Sequence, residues 1–212
     1  MATTSLANTA ATAEVVVPIQ PDSLLLSPAA DGRVRFSRAA YHRMADAGIL
    51  DRNARFELIE GDIYMMSPIG PAQGALVRRL TQFFTKRLPD TIDCSIQLPI
   101  FSAEHSEPEP DVALIRQRDD DYRNEHPSPK DVLLIIEVAQ SSLGQDLGTK
   151  LRLYASSAIP EYWVVDVHRQ VILVHREPIG NSYRVSKLIP RDGVVAPIAA
   201  PECELDAAWL FR

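Results

Sequence analysis

The sequence predicts one α/β domain, and three observations carry that expectation. Runs rich in β-branched residues alternate with segments of helical spacing. One run, Val132 to Ile136, is apolar throughout, as expected of a central strand covered on both faces. The length, 212 residues, suits one well-cored domain with decorated ends and is too short for two domains of usual size. Residues 1–33 are expected to form a flexible or partner-docking arm, and residues 34–212 the domain.

The arm is poor in charge and rich in Ala, Thr, Ser and Pro. It has no basic start followed by an apolar core, so it does not read as a secretory signal. Its VVVP and SLLL segments are suited to lie along a sheet edge or a partner chain. Ser37 then caps a helix through SRAAYHRMADAGIL, whose Ala40, Met44 and Leu50 share a face and whose Gly48 marks the end. RFELIEGDIYMMSP reads as a hairpin turning at Glu60-Gly61-Asp62 and closed by Pro68. From Pro71 to Leu88, Ala75, Leu76, Leu80, Phe83, Phe84 and Leu88 recur at helical spacing, so a longer helix covers the sheet.

TIDCSIQLPIF alternates apolar and polar residues, the pattern of a strand with one wet face. After the acidic turn SAEHSEPEP comes the short strand DVALI. The charged segment from Arg116 to Lys130 is an exposed loop or short helix. The strand beginning at Val132 is followed by a helix from about Gly144 to Ser157, packed through Leu147, Leu151 and Tyr154. EYWVVDV and QVILVHREP are two further strands joined by a turn at Asp166 to Gln170. The tail from about Asp192 is broken by prolines and ends in a candidate helix, AAWLFR.

Hydrophobic residues make up 46% and charged residues 24%, an ordinary globular composition that excludes disordered and fibrous classes. No apolar run is long enough to cross a bilayer. Cys94 and Cys203 stand far apart in apolar surroundings, as packed thiols do, and a cytoplasmic location is the default. The net charge of −6 weighs against tight non-specific binding to nucleic acid, although a cluster of site carboxylates would itself bias the total.

Glu137 ends the apolar run of the central strand. A lone carboxylate in an apolar core costs several kcal/mol, so the group must be paired, protonated, metal-bound or just past the buried part. Asp111 starts another short strand. If the two strands are antiparallel neighbours, the carboxylates converge, and an oxygen-only pair with room for water suits Mg²⁺ or Mn²⁺ and assisted phosphodiester hydrolysis. On spacing alone the plainer alternative, two unrelated acids at solvated strand ends, comes first. Lys150, four residues after Asp146, likewise reads either as half of a solvated surface pair or as an ammonium near the end of the strand. His105 is more plausibly a solvated loop residue than a ligand, and Trp163 more plausibly core than a base-stacking platform.

The succession FELIEGDIYMMSP, EPDVALI and LLIIEVAQSSLGQDLGTKLRLYASSAIPEYWVVD resembles the restriction-endonuclease-like family called Uma-two, of the PD-(D/E)XK nuclease superfamily. The similarity runs from about Phe56 to Pro178. It implies a restriction-endonuclease-like core with a mixed central sheet flanked by helices. It further implies Asp111 and Glu137 as metal-binding carboxylates with the Val138 carbonyl as a further ligand, Glu57 as an additional acid, and Lys150 as catalytic lysine. Asp146 and Tyr154 would position Lys150 and pack its helix. The superfamily lysine stands two residues after the acid, where this chain has Ala139, so the lysine is moved to the following helix. Where the family often has His, this chain has Gln73. The function so implied is a Mg²⁺- or Mn²⁺-dependent endonuclease acting on DNA as a homodimer. The alternative is an inactive nuclease-like fold serving as a binding or dimerisation module.

Overall fold

In a computed structural model, residues 26–28, 32–101 and 103–212 are described. The VVVP segment of the arm lies outside the described residues, and of SLLL only Leu26 lies within them. The core is a six-stranded mixed sheet built from β5 (Ile92–Ile96), β6 (Val112–Arg116), β7 (Val132–Ala139), β8 (Glu161–Asp166), β9 (Val171–Ile179) and β10 (Ser182–Ile189). The spatial order is β10-β9-β8-β7-β6-β5, with β7 and β8 parallel and the other neighbours antiparallel. The parallel pair requires a crossover, and the helical segment between β7 and β8 supplies it.

Alternation along the central strands separates two cores. Leu134, Ile136 and Val138 of β7, with Trp163 and Val165 of β8, face one side, where α2 (Pro71–Thr85) packs through Leu76, Val77, Leu80, Phe83 and Phe84. The α5 helix (Ala207–Leu210), capped by Asp206, closes that side. Ile135, Ala139, Tyr162 and Val164 face the other side, against Leu153, Tyr154 and Ala155 of α4 (Leu151–Ser156). Glu137 shares the parity of Ile135 and Ala139, and Asp111 shares that of Ala113 and Ile115, so both acids belong to the α4 side.

Three small elements wall that side. β3 (Phe56–Ile59) and β4 (Asp62–Met65) form the predicted hairpin, with Glu60 and Gly61 both at positive φ, 50° and 82°. Gly61 is required twice over, because a Cβ there would lie 2.6 Å from the Cβ of Arg35. That arginine belongs to β2 (Val34–Phe36), which pairs with β1 (Leu26–Pro28). Helix α1 (Arg38–Asp46) starts where Ser37 accepts the amide of Ala40, and its Tyr41 hydroxyl donates to the Phe56 carbonyl of β3 at 2.9 Å.

The structure corrects two expectations and adds one strand. Glu137 does not end its strand: β7 runs on to Ala139, and Glu137 is 4% exposed. The helix after β7 is interrupted, because between α3 (Leu143–Gln145) and α4 the residues Asp146–Lys150 form a π-helical turn. The added strand is β10, which turns back from β9 at Gly180-Asn181, where Gly180 takes positive φ.

Candidate active site

The antiparallel register sets Val112 opposite Ile136, which leaves Asp111 beside the next residue of β7, Glu137. The two acids are tied through the backbone. Val138 N–H donates to Asp111 Oδ2 at 2.8 Å, and Asp111 N–H approaches Glu137 Oε2 at 3.4 Å. The side-chain amides of Gln73, at the start of α2, and of Gln97, just past β5, reach Asp111 at 3.3 and 3.4 Å. Gln97 adopts positive φ, 50°, which turns the chain out of the ladder beside Asp111.

Lys150 is the hub. Its Nζ lies 3.0 Å from Glu137 Oε1 and 3.0 Å from Glu57 Oε2, and all three residues are buried. The Tyr154 hydroxyl donates to the same Glu137 oxygen at 2.9 Å. The Gln145 amide approaches Glu57 Oε1 at 3.4 Å. Asp146 is 1% exposed, accepts a hydrogen bond from the Ser142 hydroxyl, and offers its carbonyl to the Tyr162 hydroxyl at 3.0 Å. The solvated Asp146–Lys150 surface pair is therefore overturned. The π turn breaks the one-above-the-other stacking of residues four apart and turns Lys150 inward, toward β7 and β3.

The electrostatics follow from crowding. Burial, joined by the charges of Asp146, Asp111 and Glu57, pushes Glu137 up to about 8 against the opposing pull of Lys150. Burial also raises Asp146, to about 6, again with Lys150 opposing. For Lys150 burial acts to lower the value, but Glu137, Glu57 and Asp146 together outweigh it and raise it, so the ammonium stays protonated. Tyr154 is raised well above its usual range by burial and by Glu137, and its hydroxyl remains a donor.

Glu57, Asp111, Glu137, Asp146 and Lys150 floor an open cleft of ≈ 160 Å³, also lined by Arg55, Met66, Ile69 and Ser142. Among its lining groups four carboxylates, Glu57, Asp111, Glu137 and Asp146, face two cations, Lys150 and Arg55. Arg55 is already paired with Glu109 at 2.8 Å. Among the described residues no group of three or more His, Cys, Asp or Glu side chains forms a ligand cluster. The donors available to a cation are instead the Asp111 and Glu137 carboxylates, hard oxygens in negative surplus beside an open cleft. That donor set fits Mg²⁺ or Mn²⁺ completed by water.

All of the predicted side chains, Glu57, Gln73, Asp111, Glu137, Asp146, Lys150 and Tyr154, come together here, with Val138 between the acids. Gln97, Gln145 and Ser142 were missed. They are neutral residues in loops and turns, and only their placement connects them to the acids. His105 is turned away, its Nδ1 3.0 Å from the Phe36 carbonyl, and Trp163 is wholly buried.

A family model described as "Uma2: Putative restriction endonuclease" matches residues 38–208, and the chain belongs to that family. The match extends beyond the motif-bearing span, into α1 and the C-terminal tail. Among solved structures the chain is similar to a protein from Anabaena variabilis described as "a putative nuclease belonging to DUF820". The TM-score is 0.67 at 16% identity, over 83% of this chain and 97% of that one, a likeness of fold. A comparison with curated proteins finds no match. Among the described residues no helix is long and apolar enough to cross a membrane.

Proposed function

We propose that the chain is a metal-dependent endonuclease that hydrolyses phosphodiester bonds of DNA. One observation carries the reading: the antiparallel β6–β7 register brings Asp111 against Glu137, and the buried Lys150 ammonium stands 3.0 Å from the latter at the floor of an open cleft. Membership of the family supports it.

Asp111 and Glu137 would hold Mg²⁺ or Mn²⁺, with the Val138 carbonyl as the further ligand that the family resemblance implies. When bound, the cation would neutralise the carboxylate surplus, offset charge growing on the phosphate and acidify water. The chain's own groups divide the remaining work. Lys150, held protonated, cannot serve as a base; it donates a hydrogen bond to a phosphate oxygen or to the attacking water. Tyr154 and Lys150 fix one oxygen of Glu137, leaving the other directed to the Asp111 side. Gln73 orients Asp111 by a neutral amide where the family often has an imidazole. Water adds to phosphorus, one P–O ester bond breaks, and the leaving oxygen takes up a proton. Cutting both strands of a duplex requires two such sites, so the assembly we propose is a homodimer.

The negative cleft repels phosphate until a cation arrives, so the activity should depend strictly on metal. The test is nicking of supercoiled plasmid by chelator-stripped protein. Activity restored by Mg²⁺ or Mn²⁺ but absent without them supports the reading. No nicking under any metal by correctly folded protein would leave the binding-module alternative in its place.

A further inference from the structure

Beside the catalytic cleft lies a second, larger hollow to which the proposed chemistry assigns no role. It is ≈ 450 Å³ in volume, is lined by Ile69, Val77, Ile96 and Gln97, and has Gly74 and Arg78 of α2 along one wall. It adjoins the catalytic cleft: Ile69 lines both, and Gln97 reaches from this hollow to Asp111 at 3.4 Å. Its volume lies in the range of small-ligand sites.

Two features of the wall are unusual. Gly74 sits inside α2, where glycine is unfavourable relative to any side chain that the helix tolerates. No backbone constraint demands it. A Cβ there would meet Ile69 and the Nη1 of Arg78 at 3.5 and 3.6 Å, which is ordinary contact. The missing side chain therefore leaves space between Ile69 and Arg78. Arg78 itself is exposed, folds its guanidinium back over Gly74, and makes no hydrogen bond or ion pair among the described residues. In a chain of net charge −6, with four carboxylates lining the adjoining cleft, an arginine that has no partner among the described residues and stands over an apolar floor is complementary to a phosphate carrying an apolar face.

We propose that this hollow is the subsite for the nucleotide flanking the scissile bond, with Arg78 on its phosphate and the base lying on Ile69, Val77 and Ile96. The assignment rests on the nuclease reading for its occupant. A single nucleic-acid strand presents this combination of charge outside and flat apolar surface inside. Gly74 keeps the subsite open, and Gln73, one residue earlier on the same helix, places it next to Asp111.

The test uses the full chain and two readouts. Binding of a fluorescent single-stranded oligonucleotide is followed by anisotropy across a salt series, and cleavage is followed on the same oligonucleotide and on bis(p-nitrophenyl) phosphate, a diester too small to span both hollows. Arg78→Gln should weaken oligonucleotide binding roughly five- to tenfold and lower the slope of log Kd against log salt by about one, with Arg78→Lys restoring most of it. Gly74→Leu should fold at least as stably as the wild type, yet weaken binding by a similar factor through occlusion. Hydrolysis of the small diester should stay within about twofold in both variants. Unchanged oligonucleotide affinity and salt slope in both variants, or a wild type that does not bind the oligonucleotide, would overturn the subsite. Binding that behaves as stated in a wild type that cleaves neither substrate would uphold the hollow as a nucleotide-binding site, overturn its place beside a scissile bond, and sink the nuclease reading.

Discussion

Two carboxylates are buried in this sheet to nearly the same depth, and they do opposite things. Glu161, at the start of β8, is fully buried and fully answered. One oxygen accepts from Trp163 Nε1 at 2.8 Å and Arg176 Nε at 2.7 Å, and the other from the Ile198 amide at 2.6 Å. Arg176 completes the clasp by donating to the Ala196 carbonyl at 2.6 Å, which fastens the C-terminal tail to the sheet. Glu137, one strand away, is crowded by Asp111, Asp146 and Glu57 around a single lysine and opens onto a cleft. Burial with complete compensation makes a lock. Burial with like charge in surplus stores a demand for a cation, and proteins tolerate that demand where it serves a reaction.

Lys150→Met should separate the two regions most sharply. It leaves Glu57 and Glu137 without their counter-charge, costing about 3 kcal/mol of stability, and lowers nuclease activity on the order of 10²–10³-fold. Urea denaturation and plasmid nicking on one preparation read both numbers. Glu161→Ala should match that destabilisation, about 3–5 kcal/mol, while the molecules that remain folded keep near-normal activity. Specific activity that collapses in a folded Glu161→Ala protein would mean that the lock and the site are coupled.

Saturating Mg²⁺ or Mn²⁺, at about 100 times Kd, should add about 2.7 kcal/mol to the stability of the wild type. The gain should be absent in Asp111→Asn/Glu137→Gln and retained in a mild variant of the lock such as Glu161→Gln. Thermal shift with and without metal is the measurement.

The smallest effect comes from a third buried group, which has no counter-charge among the described residues. His175 on β9 lies among Tyr162 and Tyr183 with Nδ1 2.9 Å from the Ser186 hydroxyl, and burial lowers its pKa below the usual 6.5. The unfolded chain then takes up a proton at a higher pH than the folded one. The stability so contributed is complete above about pH 6.5 and is lost as pH falls through the lower folded value. His175→Phe should flatten that part of the pH–stability curve by up to about 1 kcal/mol; an unchanged curve would assign the acid sensitivity elsewhere.

Much of this arrangement was legible in the sequence, for physical reasons. The β3–β4 hairpin announces itself through Glu60-Gly61, and α2 through the spacing of its apolar residues. The two short apolar runs, each with an acid at one end, mark β6 and β7 as strands, but spacing left their pairing open and only the fold sets them side by side. Lys150 was legible only through resemblance, since residues four apart suggest a surface pair and nothing local announces a π turn. Strand β10 escaped because its burial is confined to Tyr183 and Ile189 at its two ends, with exposed residues between them, so no continuous apolar signal marks it. The Glu161 clasp was invisible because its partners Arg176 and Ile198 are 15 and 37 residues away and meet only across the sheet. Gln97 and Gln145 carry no charge to announce a role.

The central claim is that Asp111 and Glu137 together hold a divalent cation and that phosphodiester cleavage depends on it. Calorimetric titration of Mn²⁺ into chelator-stripped wild type and into Asp111→Asn/Glu137→Gln, with plasmid nicking on the same samples, tests it most directly. The expected result is metal binding and nicking in the wild type, with both lost in a double variant that remains folded. A wild type that takes up no metal at millimolar concentration, or a double variant that still nicks, would contradict it.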